Sequence, residues 1–105
     1  MAFDLETVIP IIKQFTDEVR QAMPIEKVLL YGSYATGLAK DDSDVDVCFF
    51  LTSFGVEDMD SIIVKMYLIA HKYDLYIEPI AFEVSDLYDD NPFVKEVLRT
   101  GIEIL

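Results

Sequence analysis

Two carboxylates two residues apart, Asp44 and Asp46, stand at the head of an apolar run, Val47-Cys48-Phe49-Phe50-Leu51. Side chains along a strand alternate faces, so a strand over Asp44–Leu51 sets both carboxylates on one side, one pleat apart. Held that close, they repel each other unless a cation lies between them. Oxygen ligands of this kind suit Mg²⁺, which is usually held by one or two carboxylates together with substrate phosphates. Upstream, the apolar run Val28-Leu29-Leu30-Tyr31 ends in Gly32-Ser33. Glycine there lets a ligand approach the backbone closely. A short helix over 33–39 aims its free amides back at Gly32-Ser33, an arrangement that suits phosphate oxygens. A phosphate cradle facing a Mg²⁺ site is the equipment of an enzyme that uses nucleotides.

Gly32-Ser33, ten residues, then Asp44-x-Asp46 resembles the signature of the DNA polymerase beta-type nucleotidyltransferase superfamily. The short chain is similar to its minimal nucleotidyltransferase (MNT) branch, often found as antitoxins paired with helical HEPN toxins. The resemblance covers the motif and the order of elements around it. It implies an α/β fold with a small mixed β-sheet covered by helices, the polymerase beta palm-like nucleotidyltransferase fold. It also implies ATP as substrate, two Mg²⁺ ions, Gly32 and Ser33 as nucleotide-binding residues, and a third acidic residue on a neighbouring strand. Asp74 and Glu78 are the candidates for that place. Glu78 is preferred, because a carboxylate amid apolar strand residues needs a cationic partner, whereas Asp74 has a ready role in the turn before the strand. Asp44, Asp46 and Glu78 are then both catalytic and metal-binding. All three hold the ion at the attacking hydroxyl, the Asp pair holds the ion on the triphosphate, and Glu78 doubles as general base. Two departures stand out: many relatives carry Arg where this chain has Tyr34, and Asp where it has Glu78. Tyr34 reads equally as a packed aromatic or a nucleotide contact.

Blander readings compete with this one. Asp41, Asp42, Asp44 and Asp46 form a charge run, and such runs are usually solvated turns; the preceding Gly-Ser argues against that here. An EF-hand starting at Asp42 fails, because Val47 replaces the required glycine and Ser53 the final glutamate. Cys48 reads as a small buried hydrophobe, and His71 as a helix-end residue.

The elements that position these groups follow from periodicity. Leu5, Val8, Ile12, Phe15 and Val19 mark an amphipathic helix over 4–22, capped near Thr7 so that Pro10 falls in its first turn. Strands follow at Val28–Tyr31 and Asp44–Leu51, the latter turning Val45, Val47, Phe49 and Leu51 to the core. A helix over 57–72 buries Met59, Ile62, Ile63, Met66, Ile69 and Ala70. Leu75–Phe82 is a strand that Pro79 confines to an edge or a bulge. An acidic loop spans 83–91, a helix runs from Asn91-Pro92 to about Thr100 with Gly101 as its left-handed stop, and Ile102–Leu105 closes as a short strand. The helices at 7–22 and 57–72 are expected to cover the sheet.

Composition bounds the rest. The chain has 105 residues, 52% of them hydrophobic, which fits one domain over 1–105 with a small core. No apolar stretch is long enough to span a bilayer, the first four residues lack a basic leader pattern, and a single cysteine fits a reducing cytoplasm. Lys and Arg number 8 against 20 Asp and Glu, a net charge of −12. That balance argues against a long nucleic acid as partner and suits a basic protein. Three functions are weighed: transfer of AMP from ATP to a protein hydroxyl, toxin neutralisation by contact alone, and transfer to a small molecule. The last ranks lowest, since such relatives usually carry a second helical domain for the acceptor.

Overall fold

The computed structural model of the chain describes residues 3–105. Met1 and Ala2, which begin the stretch without a basic leader pattern, lie outside the described residues. Four helices, α1 (Leu5–Ala22), α2 (Ser33–Thr36), α3 (Met59–Ala70) and α4 (Pro92–Thr100), alternate with strands β1 (Ile25–Tyr31), β2 (Val45–Leu51), β3 (Ile77–Glu83) and β4 (Ile102–Glu103). The strands form one mixed sheet in the order β3-β2-β1-β4. β1 runs antiparallel to β2 and β4, while β2 and β3 are parallel. Antiparallel neighbours accept a short connection, here the loop that carries α2. The parallel pair needs a crossover, which α3 supplies.

Alternation along β2 builds two cores. Val45, Val47, Phe49 and Leu51 join Val8, Ile12, Phe15 and Val19 of α1 and Ile62 and Met66 of α3, as their spacing predicts. Phe15 meets Phe49 edge-on at 5.7 Å. The opposite face gathers Leu29, Cys48, Phe50 and Phe82 under Val94 and Val97 of α4. The sheet is therefore covered on both sides: α1 and α3 cover one face and α4 the other. The small mixed sheet covered by helices is the expected α/β architecture, with α4 an addition to the two expected covering helices.

Several boundaries differ from the sequence reading, each for a local reason. Asp4, not Thr7, caps α1: its Oδ1 accepts from the Thr7 amide at 2.9 Å. Pro10 consequently lies beyond the first turn, on the exposed side, where water can serve the carbonyl left without a donor. β1 begins three residues earlier than its apolar run: Ile25 and Lys27 both pair with β2, across a register shift that skips Glu26. β2 begins at Val45, so Asp44 stands just before it. α3 begins after its Asp58 cap and leaves Met59 exposed. β3 starts at Ile77. The acidic loop contains a 3-10 turn at Val84–Leu87, closed by reciprocal bonds between Glu83 and Asp86. Gly101 is extended rather than left-handed (φ −74, ψ 158). Its glycine is required by space: a Cβ would lie 2.5 Å from the Val97 carbonyl and 3.2 Å from that of Leu30. Pro79 sits on the edge strand β3, where a residue without an amide is tolerated.

Phe49 is fully buried at the centre of the larger core. Phe49→Ala is expected to cost about 3–5 kcal/mol, a large share of a small domain's stability, whereas Val56→Ser on an exposed loop changes it by less than about 0.5 kcal/mol. Urea unfolding of the two variants checks this.

Candidate active site

At the end of the sheet where β2 and β3 begin and β1 ends, register sets three side chains in a row. Tyr31 of β1 is paired with Asp46 of β2, and Asp46 with Glu78 of β3. Paired residues share a face, and this is the face that carries Cys48 and Phe50 further along. Asp44 precedes Asp46 by one pleat, at the point where the Val45 amide donates to the Tyr76 carbonyl at 2.7 Å. Glu78 lies beside both aspartates: it is the register partner of Asp46 and shares the rim of one hollow with Asp44. The row therefore brings Asp44, Asp46 and Glu78 together. Asp74 lies in the loop before β3 and is exposed; it has no place in the row.

The electrostatics are those of crowded acids. The Asp44 carboxyl close beside it, then desolvation and the charges of Asp46 and Asp44, hold the Glu78 carboxyl above its ordinary range. Burial, then the charge of Asp44, raises Asp46, while the neighbouring Glu78 carboxyl opposes that shift. Burial and the charge of Asp46 also push the Tyr31 phenol up. The Cys48 thiol, pushed up to about 12 by burial, stays a thiol, in keeping with its reading as a small hydrophobe.

Gly32 fixes the other wall. Its backbone adopts φ 73 and ψ −151, a region essentially restricted to glycine. A Cβ there would lie 2.3 Å from Oδ2 of Asp46. The Asp46 carboxylate thus rests against the bare Cα of Gly32, which ties the Gly-Ser turn to the aspartate pair. The Gly32 carbonyl accepts from the amides of Ala35 and Thr36, both at 3.1 Å, so the turn leads directly into α2. The amides of Ser33 and Tyr34, at the start of that helix, have no acceptor within it. α2 spans only Ser33–Thr36, ended by left-handed Gly37, and is shorter than the expected 33–39. Tyr34 is 5% exposed and belongs to the larger core, which decides between its two readings in favour of packing.

Sequence reasoning did not single out the aromatic groups around the acids, and it gave His71 only a helix-end place. A hollow of about 370 Å³ beside Asp44 and Glu78 is lined by Tyr67 and His71 of the α3 end and by Tyr73 and Tyr76. Burial and the nearby Glu78, Asp44 and Asp46 charges raise the Tyr67 phenol. A second hollow, of about 210 Å³, lies beyond Gly32 between Tyr31, Thr36, Phe93 and Glu96. Tyr31 meets Phe93 edge-on at 5.6 Å. Tyr31 and Tyr76 were recoverable from strand alternation with Leu29 and Glu78; Tyr67 required the placement of α3.

Asp44, Asp46 and Glu78 supply carboxylate oxygens, the donor type a divalent cation takes, and their mutual repulsion is the kind a cation relieves. Among the described residues, no group of three or more Asp, Glu, His or Cys side chains is placed to hold a metal ion as it stands; Mg²⁺ at the acids would need oxygens from substrate phosphates and water as well.

A profile of the nucleotidyltransferase domain matches residues 12–100. A Methanocaldococcus jannaschii protein named as a candidate protein adenylyltransferase is 30% identical over 100 residues, covering 92% of this chain and 98% of that one. Among solved structures, a candidate nucleotidyltransferase from Sulfolobus solfataricus aligns with a TM-score of 0.62 at 20% identity, over 90% of this chain and 77% of that one. A toxin-antitoxin complex with AMP-PNP aligns with a TM-score of 0.58 at 12% identity, over 89% of this chain and 72% of that one. The two structures share this fold.

Two outcomes follow from the geometry. Gly32→Ala is expected to cost about 1–3 kcal/mol in backbone strain, plus a steric part from the Asp46 contact. Adding Asp46→Ala should recover the steric part only, and a double-mutant cycle in urea separates the two. The second outcome concerns pH. The folded Asp46 and Glu78 carboxyls sit above their ordinary 3.8 and 4.5, so the folded chain holds protons more tightly than the unfolded one. Their penalty is absent below the ordinary range, grows as pH rises through it to the raised values, and persists at neutral pH. Without metal, Asp46→Asn should therefore melt above wild type at pH 7, with the gap closing near pH 3; equal melting at both pH values would contradict the crowding.

Proposed function

The chain belongs to the nucleotidyltransferase domain family, and from that premise we propose that residues 1–105 act as one minimal nucleotidyltransferase unit that transfers AMP from ATP to a protein hydroxyl. The observation that carries the reading is the convergence of Asp44, Asp46 and Glu78 at the sheet end beside the Gly32-Ser33 turn. Covalent transfer to a protein is supported by the Methanocaldococcus relative, named for that activity, and a toxin partner by the toxin-antitoxin complex that shares the fold. We take the acceptor to be a helical HEPN-type toxin and the setting to be the cytoplasm. Among the described residues no helix is long and apolar enough to cross a membrane.

In this reading, Gly32 and the Ser33 and Tyr34 amides receive the outer phosphates, as the bare Cα and the start of α2 allow. Asp44, Asp46 and Glu78 would hold two Mg²⁺ ions, which would offset the charge developing on the entering and leaving oxygens. The acceptor oxygen forms a bond to the α-phosphorus, the bond from that phosphorus to the oxygen bridging the β-phosphate breaks, and pyrophosphate leaves. Glu78, exposed and beside Asp46 in the register, takes the hydroxyl proton in its ionised form. Positions 34 and 78 depart from the usual pattern. Tyr34 is committed to the core, so no side-chain cation at that position meets the triphosphate. That observation favours a second reading, neutralisation of the partner by contact without transfer.

Incubation of ATP labelled on its α-phosphate with the chain, Mg²⁺ and a HEPN-type protein should leave label on that protein. Asp44→Ala should lower the rate at least about a hundredfold, the scale of losing one electrostatic stabiliser of the transition state. Mg²⁺ with ATP should also raise the wild-type melting temperature, by binding only the folded chain. Protection by an Asp44→Ala/Asp46→Ala variant, with no label transferred by wild type, would replace transfer with contact neutralisation.

A further inference from the structure

α3 is apolar almost all round. Ile62, Met66 and Ala70 face the core, yet on the opposite side Val64 is 58% exposed, Leu68 65% and Tyr67 39%. Asp60, Ser61 and Lys65 interrupt that outer side, but an exposed apolar stripe on a helix is a surface that another surface can cover. Val64, Tyr67 and Leu68 lie three and four residues apart and so form one stripe along the outer surface. At the C-terminal end of α3 that stripe runs into the hollow lined by Tyr67, His71, Tyr76, Asp44 and Glu78. Tyr76 continues it at 81% exposed. The unpartnered surface is therefore continuous with the carboxylates.

Charge selects the occupant. Asp58 and Asp60 stand at the near end of the stripe, and Asp44, Asp74 and Glu78 at the far end. The lysines of this region are already committed: Lys65 is paired with Glu57, and Lys72 with Glu18 at 2.9 Å. A second copy would set one −12 chain against another and meet like charge at both ends of the stripe. We propose that the outer face of α3, with Tyr76, is the docking surface for the acceptor protein, and that the acceptor presents an apolar surface ringed by lysine or arginine. This rests on the reading of the chain as a transferase to protein hydroxyls. Docking there would bring the acceptor's hydroxyl to Glu78 at the mouth of the hollow.

The probe is a random copolymer of lysine and tyrosine, which supplies ammonium groups, rings and hydroxyls together; a glutamate–tyrosine copolymer is its counterpart. Binding is read by fluorescence anisotropy of the labelled polymers, and transfer separately with labelled ATP and Mg²⁺. The lysine copolymer should bind wild type, and V64S/L68S should weaken that binding about tenfold, the scale of removing an apolar anchor from an interface. Tyr88→Ser, an exposed aromatic outside the stripe, should leave it unchanged, and melting curves verify that all three chains are folded. In transfer, V64S/L68S should raise KM for the copolymer about tenfold with little change in kcat. Equal binding by wild type and V64S/L68S, equal binding of the glutamate copolymer, no binding at all, or a dimer of the chain that V64S/L68S disrupts would each overturn the proposal. Stripe-dependent binding without transfer keeps the surface and removes the reaction instead.

Discussion

The Asp46 carboxylate rests on Gly32, and the candidate site depends on that contact. Its Oδ2 occupies space that the side chain of any other residue at position 32 would claim. The strand that carries the acids and the turn suited to phosphate are thereby locked at one separation. The lock explains why Gly32 can hold a backbone conformation that other residues avoid: the strain-free residue there is also the one that makes room.

Around that contact the structure holds charged groups at the rim of an otherwise apolar sheet. Further along β2, every residue is buried, in the core under α1 and α3 or in the one under α4. Only at its first turn of alternation does β2 carry a charge, and there the neighbours on both sides are polar: Tyr31 and Glu78. The hydrophobic cores fix the register, because a slip of one residue would send Asp46 into the larger core and Val47 out of it. Register in turn sets Glu78 beside Asp46. Core packing thus aligns the acids.

Much of this was legible in the sequence, for identifiable reasons. The β2 alternation and the in-strand position of Glu78 are period-two signals with strong hydrophobic contrast, and Pro79 marks an edge strand by its missing amide. The left-handed reading of Gly101 went wrong because a glycine after a helix has two uses, backbone freedom and bare space, and only the tertiary approach of β1 tells them apart. Glu26 and Lys27 hid the start of β1, since charged residues on a strand with an irregular register break the apolar run. Asp4 and Thr7 are both good caps, and Pro10 pulled the reading toward the later one. The aromatic surroundings of the acids, Tyr67 above all, come from elements far apart in the chain, and no local pattern encodes them.

Pro79 and the exposed Glu78 also bear on how this sheet meets its neighbours. β3 is an outer strand, and an uncovered outer strand invites another chain to add itself by main-chain pairing. A proline in the middle of the strand removes one rung of any such ladder, and a carboxylate next to it sets a charge where an incoming strand would lie. The sheet is in effect hemmed on that side. A chain so rich in buried Val, Ile and Phe is protected there from zipping into fibrils, and molecules that approach β3 must engage it through side chains.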